Sequence, residues 1–397
     1  MSAQRFDVVV VGGGPSGSTA AWDLVRAGYR VLLVDREGRP KPCGGAVPPK
    51  LVEEFEIPDE LLVARVHGAR MIAPSGKIVE MPIEDGYVGM VDRAPFDAWL
   101  RQRAREAGAA FERGEFSHVS RTDDGVLRVH LKAEDEGGEE RVFATRYLIG
   151  ADGARSNVAR QCIPGAHRIR YVAAYHEIVA SPVARSIPGF QPDRCDVYYQ
   201  GQLSPDFYGW VFPHGATTSV GVGTARRGFS LRGAVASLRD EAGLEGMETI
   251  RREGAPIPLK PLRRWDNGRD VLVAGDAAGV VAPASGEGIY YAMTAGRMAA
   301  DAVAAALATG DVAHLKDARK AFMASHGRVF WVLGIMQAFW YSSDKRRESF
   351  VKICRDADVQ RLTWQAYLHK RLVRAEPMAH LRIFFKDLAH LLGLARA

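Results

Sequence analysis

The sequence predicts an α/β fold: a Rossmann-like dinucleotide-binding domain interleaved with an antiparallel β-sheet substrate domain, followed by a helical C-terminal region. Three observations predict it. Residues 5–35 have the order strand, glycine turn, helix, strand, which is a βαβ unit. Residues 168–262 contain alternating apolar segments that are typical of an antiparallel sheet. Beyond residue 311 the chain has the pattern of helices, with aromatic residues among basic ones.

Composition limits the class of protein. The chain has 397 residues, 47% hydrophobic and 25% charged, which is ordinary globular composition with room for two domains. The four cysteines are scattered without CxxC spacing. The absence of CxxC spacing argues against a zinc site or a disulfide framework and indicates a reducing compartment. We therefore expect no bound metal. The longest apolar run, residues 329–341, has 13 residues, fewer than the roughly 18–20 of a transmembrane helix. We therefore expect a cytoplasmic protein.

Charge is distributed unevenly along the chain. The net charge is +6, and residues 311–397 contain 16 Lys and Arg against 8 Asp and Glu, a balance of +8. The rest of the chain is therefore slightly acidic. This asymmetry suggests a basic C-terminal region that faces something acidic. A solvated helix face explains it equally well.

The turn after the first predicted strand carries a phosphate-binding pattern. Gly12, Gly14 and Gly17 form GxGxxG at the start of a helix, where free N–H groups and the helix dipole attract a diphosphate. Asp35 ends the next strand, placed to accept a ribose hydroxyl. The predicted dinucleotide-binding residues here are Gly12, Gly14, Ser16, Gly17, Asp35 and Arg36.

Two later segments identify the dinucleotide as FAD. "YLIGADGARS" carries Asp152, and "DVLVAGDAAGVVAPASGEGIYYA" carries Asp276 at the end of a strand, where a carboxylate can bind a ribityl or ribose hydroxyl. A further helix then opens, whose N-terminus would stabilise the negative charge of a reduced flavin. The predicted residues around this helix start are Gly286, Gly288 and Ile289. A nicotinamide-dependent dehydrogenase does not need a second set of cofactor-binding residues so far along the chain.

The order and spacing of these elements resemble the FAD-dependent hydroxylase-like superfamily over residues 5–310. The resemblance implies that Arg93, in "VDRAPFDAWL", lies next to the FAD. One departure is Asp35, where glutamate is commoner. A second GxGxxG unit is absent from the sequence, so NADPH would have no Rossmann domain of its own and would visit the FAD transiently.

A second resemblance narrows the family. "FYGWVFP" is similar to the YxWxFP…GxG pattern of geranylgeranyl reductases, and "KPCGGAVPP" resembles the cysteine–glycine loop that this family places near the flavin. Flavin halogenases carry a WxWxIP variant, which this chain lacks. The matching residues are Cys43, Gly44, Gly45, Tyr208, Trp210, Phe212, Pro213, Gly221 and Gly223. Within the family the chain is most like members of the bacteriochlorophyll pathway.

The resemblance implies an activity. Such enzymes saturate three of the four double bonds of a geranylgeranyl chain, free as the diphosphate or esterified to bacteriochlorophyll, to give phytyl, with NADPH as electron donor. An FAD-dependent monooxygenase and a reductase of other isoprenoid lipids are the enzyme alternatives. A membrane-docked scaffold that holds FAD only structurally is a third.

The aromatic segment has a physical interpretation of its own. Tyr208, Trp210 and Phe212 alternate along an extended segment, so they would share one face of a strand and form a tunnel wall for an apolar chain. Plain packing of the sheet is the alternative. An isolated alkene is not polarised, so its reduction needs a proton donor. Cys43 is the first candidate, with a small buried structural cysteine as the alternative, and Tyr208 is the second candidate donor. We expect His214 to be structural.

The domain bounds and partners follow from these segments. We predict an FAD-binding domain at 1–70, 90–167 and 262–310, a substrate domain at 71–89 and 168–261, and a helical region at 311–397. Two segments, residues 328–347 and 378–397, have the composition of interfacial helices, which predicts peripheral contact with an inner or photosynthetic membrane, or else plain helix packing. Nucleic-acid binding is not expected, because the basic residues interleave with large apolar ones. Oligomeric state is left open.

Overall fold

The computed structural model describes residues 4–38, 41–132, 140–183 and 186–370. Within those ranges the chain forms two compact units. Unit 1 consists of Met1–Lys41, Arg93–Tyr171 and Pro256–Gly334. Unit 2 consists of Pro42–Asp92, Val172–Ala255 and Ile335–Ala397.

Most strands precede residue 274, and helices form the end of the described chain. The strands are β1 Gln4–Val11, β2 Val31–Asp35, β3 Ala46–Val47, β4 Leu62–Val66, β5 Gly68–Ile72, β6 Ile78–Pro82, β7 Val88–Val91, β8 Ala110–Arg113, β9 Glu115–Arg121, β10 Leu127–Lys132, β11 Arg141–Gly150, β12 Tyr171–Ala180, β13 Arg194–Tyr198, β14 Gly209–His214, β15 Thr217–Thr224, β16 Thr249–Pro258 and β17 Val271–Val273. The helices are α1 Pro15–Arg26, α2 Pro49–Glu54, α3 Arg93–Glu106, α4 Asn157–Cys162, α5 Leu231–Glu241, α6 Ile289–Thr309, α7 Leu315–Trp340, α8 Asp344–Ile353 and α9 Ala357–His369.

Unit 1 is built on a sheet of order β8-β2-β1-β11-β10-β9, with β17 beside β11. β8, β2, β1, β11 and β17 run parallel, whereas β10 and β9 are antiparallel additions. The apolar run of β1 is completely buried at Val8, Val9 and Val10, as expected for a parallel strand covered on both faces. The predicted βαβ unit is confirmed, and Gly28 follows α1 with a φ of +88°, which favours glycine.

Unit 2 is built on a sheet of order β16-β12-β15-β14-β13-β5-β6. The pairs β12–β15, β15–β14, β14–β13 and β5–β6 are antiparallel, as predicted, whereas β13 and β5 run parallel. The exception arises because β5 and β13 belong to chain segments more than a hundred residues apart, so no hairpin dictates their direction. A small sheet of order β3-β7-β4 lies in the same unit.

The two faces of β14 have different neighbours, and this difference positions the aromatic segment. Val211 points into an apolar cluster with Val220, Val222 and Leu238 of α5. Trp210 and Phe212 point to the other face, because successive side chains of a strand alternate. The α5 helix therefore covers one side of the sheet, and the aromatic residues form the other side.

The observed units divide the chain differently from the predicted domains. Residues 42–70 group with unit 2, and so do the described residues from 335 to 370. The functional assignment of the segments to FAD and to substrate remains a prediction. The proposed interfacial helix at 378–397 lies outside the described residues. Among the helices that the structure describes, none is long and apolar enough to cross a membrane.

Candidate active site

The glycine turn of unit 1 is held by close backbone packing. Gly12 has a φ of +106°, and a Cβ there would lie 2.2 Å from the carbonyl oxygen of Ala151. A Cβ on Gly17 would lie 1.8 Å from the carbonyl oxygen of Gly12. These two positions therefore accept only glycine, because β1, α1 and the end of β11 meet there without space for a side chain.

Gly14 differs from its neighbours, because it faces open space. Its nearest neighbour would be Nη2 of Arg93, 4.0 Å from an added Cβ. Gly14 is also the N-cap of α1 and provides no capping side chain. Beside it the Ser16 hydroxyl is buried, without a hydrogen-bond partner among the described residues. An open cradle with an orphaned hydroxyl at a helix N-terminus fits the diphosphate of a dinucleotide.

Asp35 closes the same cradle from β2. Its carboxylate accepts hydrogen bonds from the backbone N–H of Gly13 at 2.6 Å and of Glu37 at 2.8 Å. Each carboxylate oxygen keeps a further lone pair for a ribose hydroxyl. Arg101 lies alongside, donating to the carbonyl of Gly13 at 3.3 Å with its Nη1 3.8 Å from Asp35. No motif in the sequence marked Arg101. Arg36, the other predicted contact here, is exposed.

Arg93 opens α3 and is held rigidly. Its guanidinium donates two hydrogen bonds to Asp97, at 2.8 and 2.7 Å, and both residues are buried. A bidentate pair four positions apart on a helix fixes the orientation of the guanidinium. Its Nη2 borders the open space at Gly14. The predicted proximity of Arg93 to the cofactor is consistent with this placement.

The two later carboxylates of unit 1 have different partners. Asp152 accepts from the Ser156 hydroxyl at 2.5 Å and from the backbone N–H of Asn157 at 2.7 Å, so it supports the start of α4. Burial raises the pKa of Asp152. Asp276 is buried and forms an ion pair with Lys41. Both side chains are thus engaged within the protein, and their role as cofactor residues remains a prediction.

The loop before α6 is shaped by left-handed backbone. Gly286 has a φ of +68°, and Ala284 adopts +63°, which is costly for a residue with a side chain. Gly288 is the N-cap of α6 and Ile289 its first residue. The 21-residue α6 starts without a side-chain cap from Gly288, and the positive end of its dipole favours an anion or a polarised ring nearby.

The cysteine loop of unit 2 packs against β14. Gly45 has a φ of +71°, and a Cβ there would lie 2.4 Å from Nε2 of His214. A Cβ on Gly44 would lie 3.3 Å from the Phe212 ring. The backbone at these glycines comes close to the aromatic strand of unit 2, and their predicted place near the flavin remains a prediction. Cys43 is half-buried, and its Sγ accepts from the backbone N–H of Gly45 at 3.4 Å.

Tyr208, immediately before β14, and Trp210 and Phe212 on β14 lie in one row, as predicted. The ring centroids of Tyr208 and Trp210 are 6.0 Å apart, and those of Trp210 and Phe212 are 6.3 Å apart. The glycines of the GxG pattern make room for rings. A Cβ on Gly221 would lie 2.2 Å from the Trp210 indole, and one on Gly223 would lie 2.8 Å from Phe207. Pro213 is also buried on this strand. Whether the face forms a tunnel wall remains a prediction.

Two titratable groups flank this face. Burial raises the pKa of the Tyr208 phenol far above its ordinary value, so Tyr208 stays protonated at physiological pH. Burial lowers the pKa of His214, whose Nδ1 lies 2.9 Å from the carbonyl of Phe212. A neutral imidazole hydrogen-bonded to its own strand fits the structural role expected of His214.

The sequence matches known families along most of its length. Residues 6–185 match the family described as pyridine nucleotide-disulphide oxidoreductase, and residues 227–390 match lycopene cyclase protein. A geranylgeranyl diphosphate reductase of Rhodobacter capsulatus is 54% identical over 390 residues, covering 98% of both chains. The chain belongs to the geranylgeranyl diphosphate reductase family. Another member of this reductase family, from Synechocystis, is 37% identical and covers 97% of both chains.

Solved structures show that the reductase family shares its fold with other flavoproteins. A geranylgeranyl bacteriochlorophyll reductase-like protein of Thermoplasma acidophilum aligns with a TM-score of 0.80 and 22% identity, covering 95% of this chain and all of that one. A flavin-dependent brominase aligns with a TM-score of 0.76 and 19% identity, covering 99% of this chain and all of that one. These likenesses confirm the predicted flavoprotein fold. Reductases and halogenases share it, so the fold does not choose the reaction.

Proposed function

We propose that this chain is an FAD-dependent reductase that saturates double bonds of a geranylgeranyl chain to give phytyl, in bacteriochlorophyll biosynthesis, with NADPH as electron donor. The observation that carries the proposal is the full-length identity of 54% to a geranylgeranyl diphosphate reductase. The open cradle at Gly14 and the aromatic face of β14 supply the two chemical requirements, a dinucleotide site and an apolar surface.

Unit 1 holds the groups for FAD. The N-terminus of α1 and Ser16 would bind the diphosphate, Asp35 would bind a ribose hydroxyl, and the N-terminus of α6 would face the ring. Bound and reduced, FAD supplies the hydride equivalent for the alkene. The protein contributes fixed dipoles that need no reorganisation during the reaction.

Unit 2 supplies the surface for the isoprenoid. A C20 chain offers no hydrogen-bonding handle along its length, so it must be recognised by shape and apolar contact. Burial gains about 0.8 kcal/mol per CH₂ before ordering costs. Tyr208, Trp210 and Phe212 present flat, rigid rings that suit a chain of variable conformation, because few rotatable bonds must be ordered to make contact.

We propose that Cys43, in preference to Tyr208, donates the proton that reduction of the alkene needs. Thiols are ordinarily stronger acids than phenols, and burial raises the pKa of Tyr208 further. General acid catalysis weakens as the pKa of the donor rises far above the working pH. Cys43 is half-buried in a loop whose glycines pack on the aromatic strand. Tyr208 then serves as part of the apolar wall and keeps its own proton.

The decisive test of the reaction is mass spectrometry after anaerobic incubation with a reductant and geranylgeranyl-bacteriochlorophyll. We expect stepwise gains of two hydrogen atoms for each double bond saturated. A parallel incubation with geranylgeranyl diphosphate distinguishes the free from the esterified substrate. No change of mass without air, followed by a gain of one oxygen atom in air, would show a monooxygenase instead.

We further propose that the enzyme docks on a membrane surface through α7. Trp331 is 68% exposed, Ile335 48% and Val332 36%. Trp331 and Ile335 are four positions apart and so share one side of the helix, with exposed Arg328 one turn before them. An exposed tryptophan beside aliphatic and basic residues is the composition of an interfacial helix on an anionic bilayer.

The double substitution Trp331→Ser and Ile335→Ser should lower binding to vesicles containing anionic lipid at least tenfold, because roughly 1.5–3 kcal/mol is lost for each large side chain no longer buried. Co-sedimentation with the vesicles measures this. Ile78→Ser is the matched control, since Ile78 is also 48% exposed but lies on β6. Equal loss in the control, or no loss in the double variant, would rule out α7 as the docking surface.

A further inference from the structure

A chain of polar side chains lies beside Trp210, on the same face of the sheet as the aromatic residues. The Trp210 indole Nε1–H donates to Ser219 Oγ at 3.0 Å, and Ser219 Oγ lies 2.9 Å from His176 Nδ1. His176 Nε2 lies 3.1 Å from Glu253 Oε2. Ser219 is 0% exposed, His176 3% and Trp210 5%. The four residues come from β14, β15, β12 and β16, which are neighbours in the sheet.

The chemistry of the donors fixes the protons at the two ends of this chain. Indole is a donor only, so Ser219 Oγ must accept from Trp210. A serine oxygen has two lone pairs and one proton, so Ser219 can either donate to His176 Nδ1 or accept from it. Because an ionised carboxylate only accepts, the ring nitrogen next to Glu253, His176 Nε2, carries a proton. The indole N–H is directed at Ser219, whose other side-chain neighbour is His176.

The Glu253 carboxylate is ionised and lies between His176 and Arg251. Although burial acts to raise the pKa of Glu253, hydrogen bonding from His176 and the nearby Arg251 guanidinium bring it below its usual range. Arg251 Nε lies 2.9 Å from the second carboxylate oxygen, and Asp92 lies on the far side of Arg251. His214 lies close enough to His176 for their interaction to contribute to the lowered pKa of His214.

The indole needs such an anchor because of the glycine beneath it. A Cβ on Gly221 would lie 2.2 Å from the Trp210 ring, so the ring packs on bare backbone at that position. The backbone of Gly221 contacts the Trp210 ring, but it offers no side chain that would fix the orientation of the ring. The bond to Ser219 is the directional contact that selects one orientation of the indole.

We propose that Glu253, acting through His176 and Ser219, is a positioning residue that holds Trp210 in the orientation against which the isoprenoid chain fits. This inference rests on the proposed function, since it makes Trp210 part of the substrate surface. Loss of the anchor loosens the wall and weakens substrate binding without touching the FAD site or the proton donor.

The test compares Glu253→Ala with Glu253→Gln in the full-length holoenzyme. We expect Glu253→Ala to raise the KM for the geranylgeranyl substrate about tenfold, with kcat and FAD content within twofold of the parent. Glu253→Gln keeps an oxygen acceptor for His176 Nε2–H and should restore the KM. Arg252→Ala is the control, because Arg252 is exposed on the adjacent position and pairs with Glu177 instead.

A second readout does not depend on turnover. Hydrogen exchange of the Trp210 indole N–H, assigned by NMR with a Trp210→Phe variant, should be at least tenfold faster in Glu253→Ala and in Ser219→Ala. If the parent shows no turnover, the proposed function fails, and the exchange data still test the anchor. An active parent with unchanged KM and unchanged exchange in Glu253→Ala would overturn the inference. So would equal losses of kcat and FAD in both Glu253 variants, which indicate a structural role alone.

Discussion

Replacing Gly14 by valine should lower the affinity for FAD at least 100-fold, about 2.7 kcal/mol, while the protein without FAD keeps its fold. Gly14 has a negative φ of −77° that any residue adopts, and no atom lies closer than 4.0 Å to an added Cβ. The side chain would instead fill the space in which a diphosphate approaches the N-terminus of α1. FAD titration followed by flavin fluorescence measures the loss.

Controls separate this effect from damage to the fold. Gly246→Val is matched, because a Cβ on Gly246 would also meet nothing within 4 Å, but Gly246 lies in unit 2. Gly14→Ala should give an intermediate loss. If the Gly14→Val protein binds FAD as tightly as the parent and has an unchanged thermal midpoint, the space at Gly14 is not part of the FAD site. Loss of affinity in Gly246→Val would show that the assay reports stability instead.

Replacing Cys43 by alanine should lower kcat about 100- to 1,000-fold, the range of a lost general acid. The KM and the FAD content should stay within twofold of the parent, because Cys43 makes one long hydrogen bond, from the N–H of Gly45 at 3.4 Å, that the fold can lose cheaply. Steady-state kinetics under anaerobic conditions, with FAD content determined from absorbance, measure the effect.

Tyr208→Phe is the competing variant. It keeps the ring and removes the hydroxyl, so we expect less than a tenfold decrease of kcat if Cys43 donates the proton. Cys162→Ala is the control, since Cys162 is also a half-buried free cysteine but lies on α4 in unit 1. A large loss in Tyr208→Phe with a normal Cys43→Ala enzyme would transfer the role to Tyr208.

The shared fold explains why these experiments are needed. The solved structures that resemble this chain include both a reductase-like protein and a brominase, so the likeness concerns the flavoprotein framework alone. The reaction depends on the few side chains that each family adds to that framework. In this chain Cys43 and Tyr208 are those to be tested.

Local patterns in the sequence were sufficient to predict most helices and strands and the glycine turn that we expect to bind the cofactor. Gly12, Gly17 and Asp35 could be predicted because tight turns and helix starts impose requirements on individual residues within a short segment. The alternation of Tyr208, Trp210 and Phe212 likewise predicted one shared face, because the two-residue period of a strand is a local property.

Tertiary structure alone decided the partners of these residues. Ser219 and His176 are 43 positions apart, and Lys41 and Asp276 are 235 apart, so no periodicity within a segment relates them. The Trp210 ring packs against Gly221, a contact that the motif alone did not indicate, and the predicted substrate role of Gly221 remains a prediction. Which strands become neighbours is set by burial of whole faces across the sheet. The sequence by itself therefore determined the flavoprotein framework and its glycine turn, and the order of strands decided which polar groups lie beside Trp210.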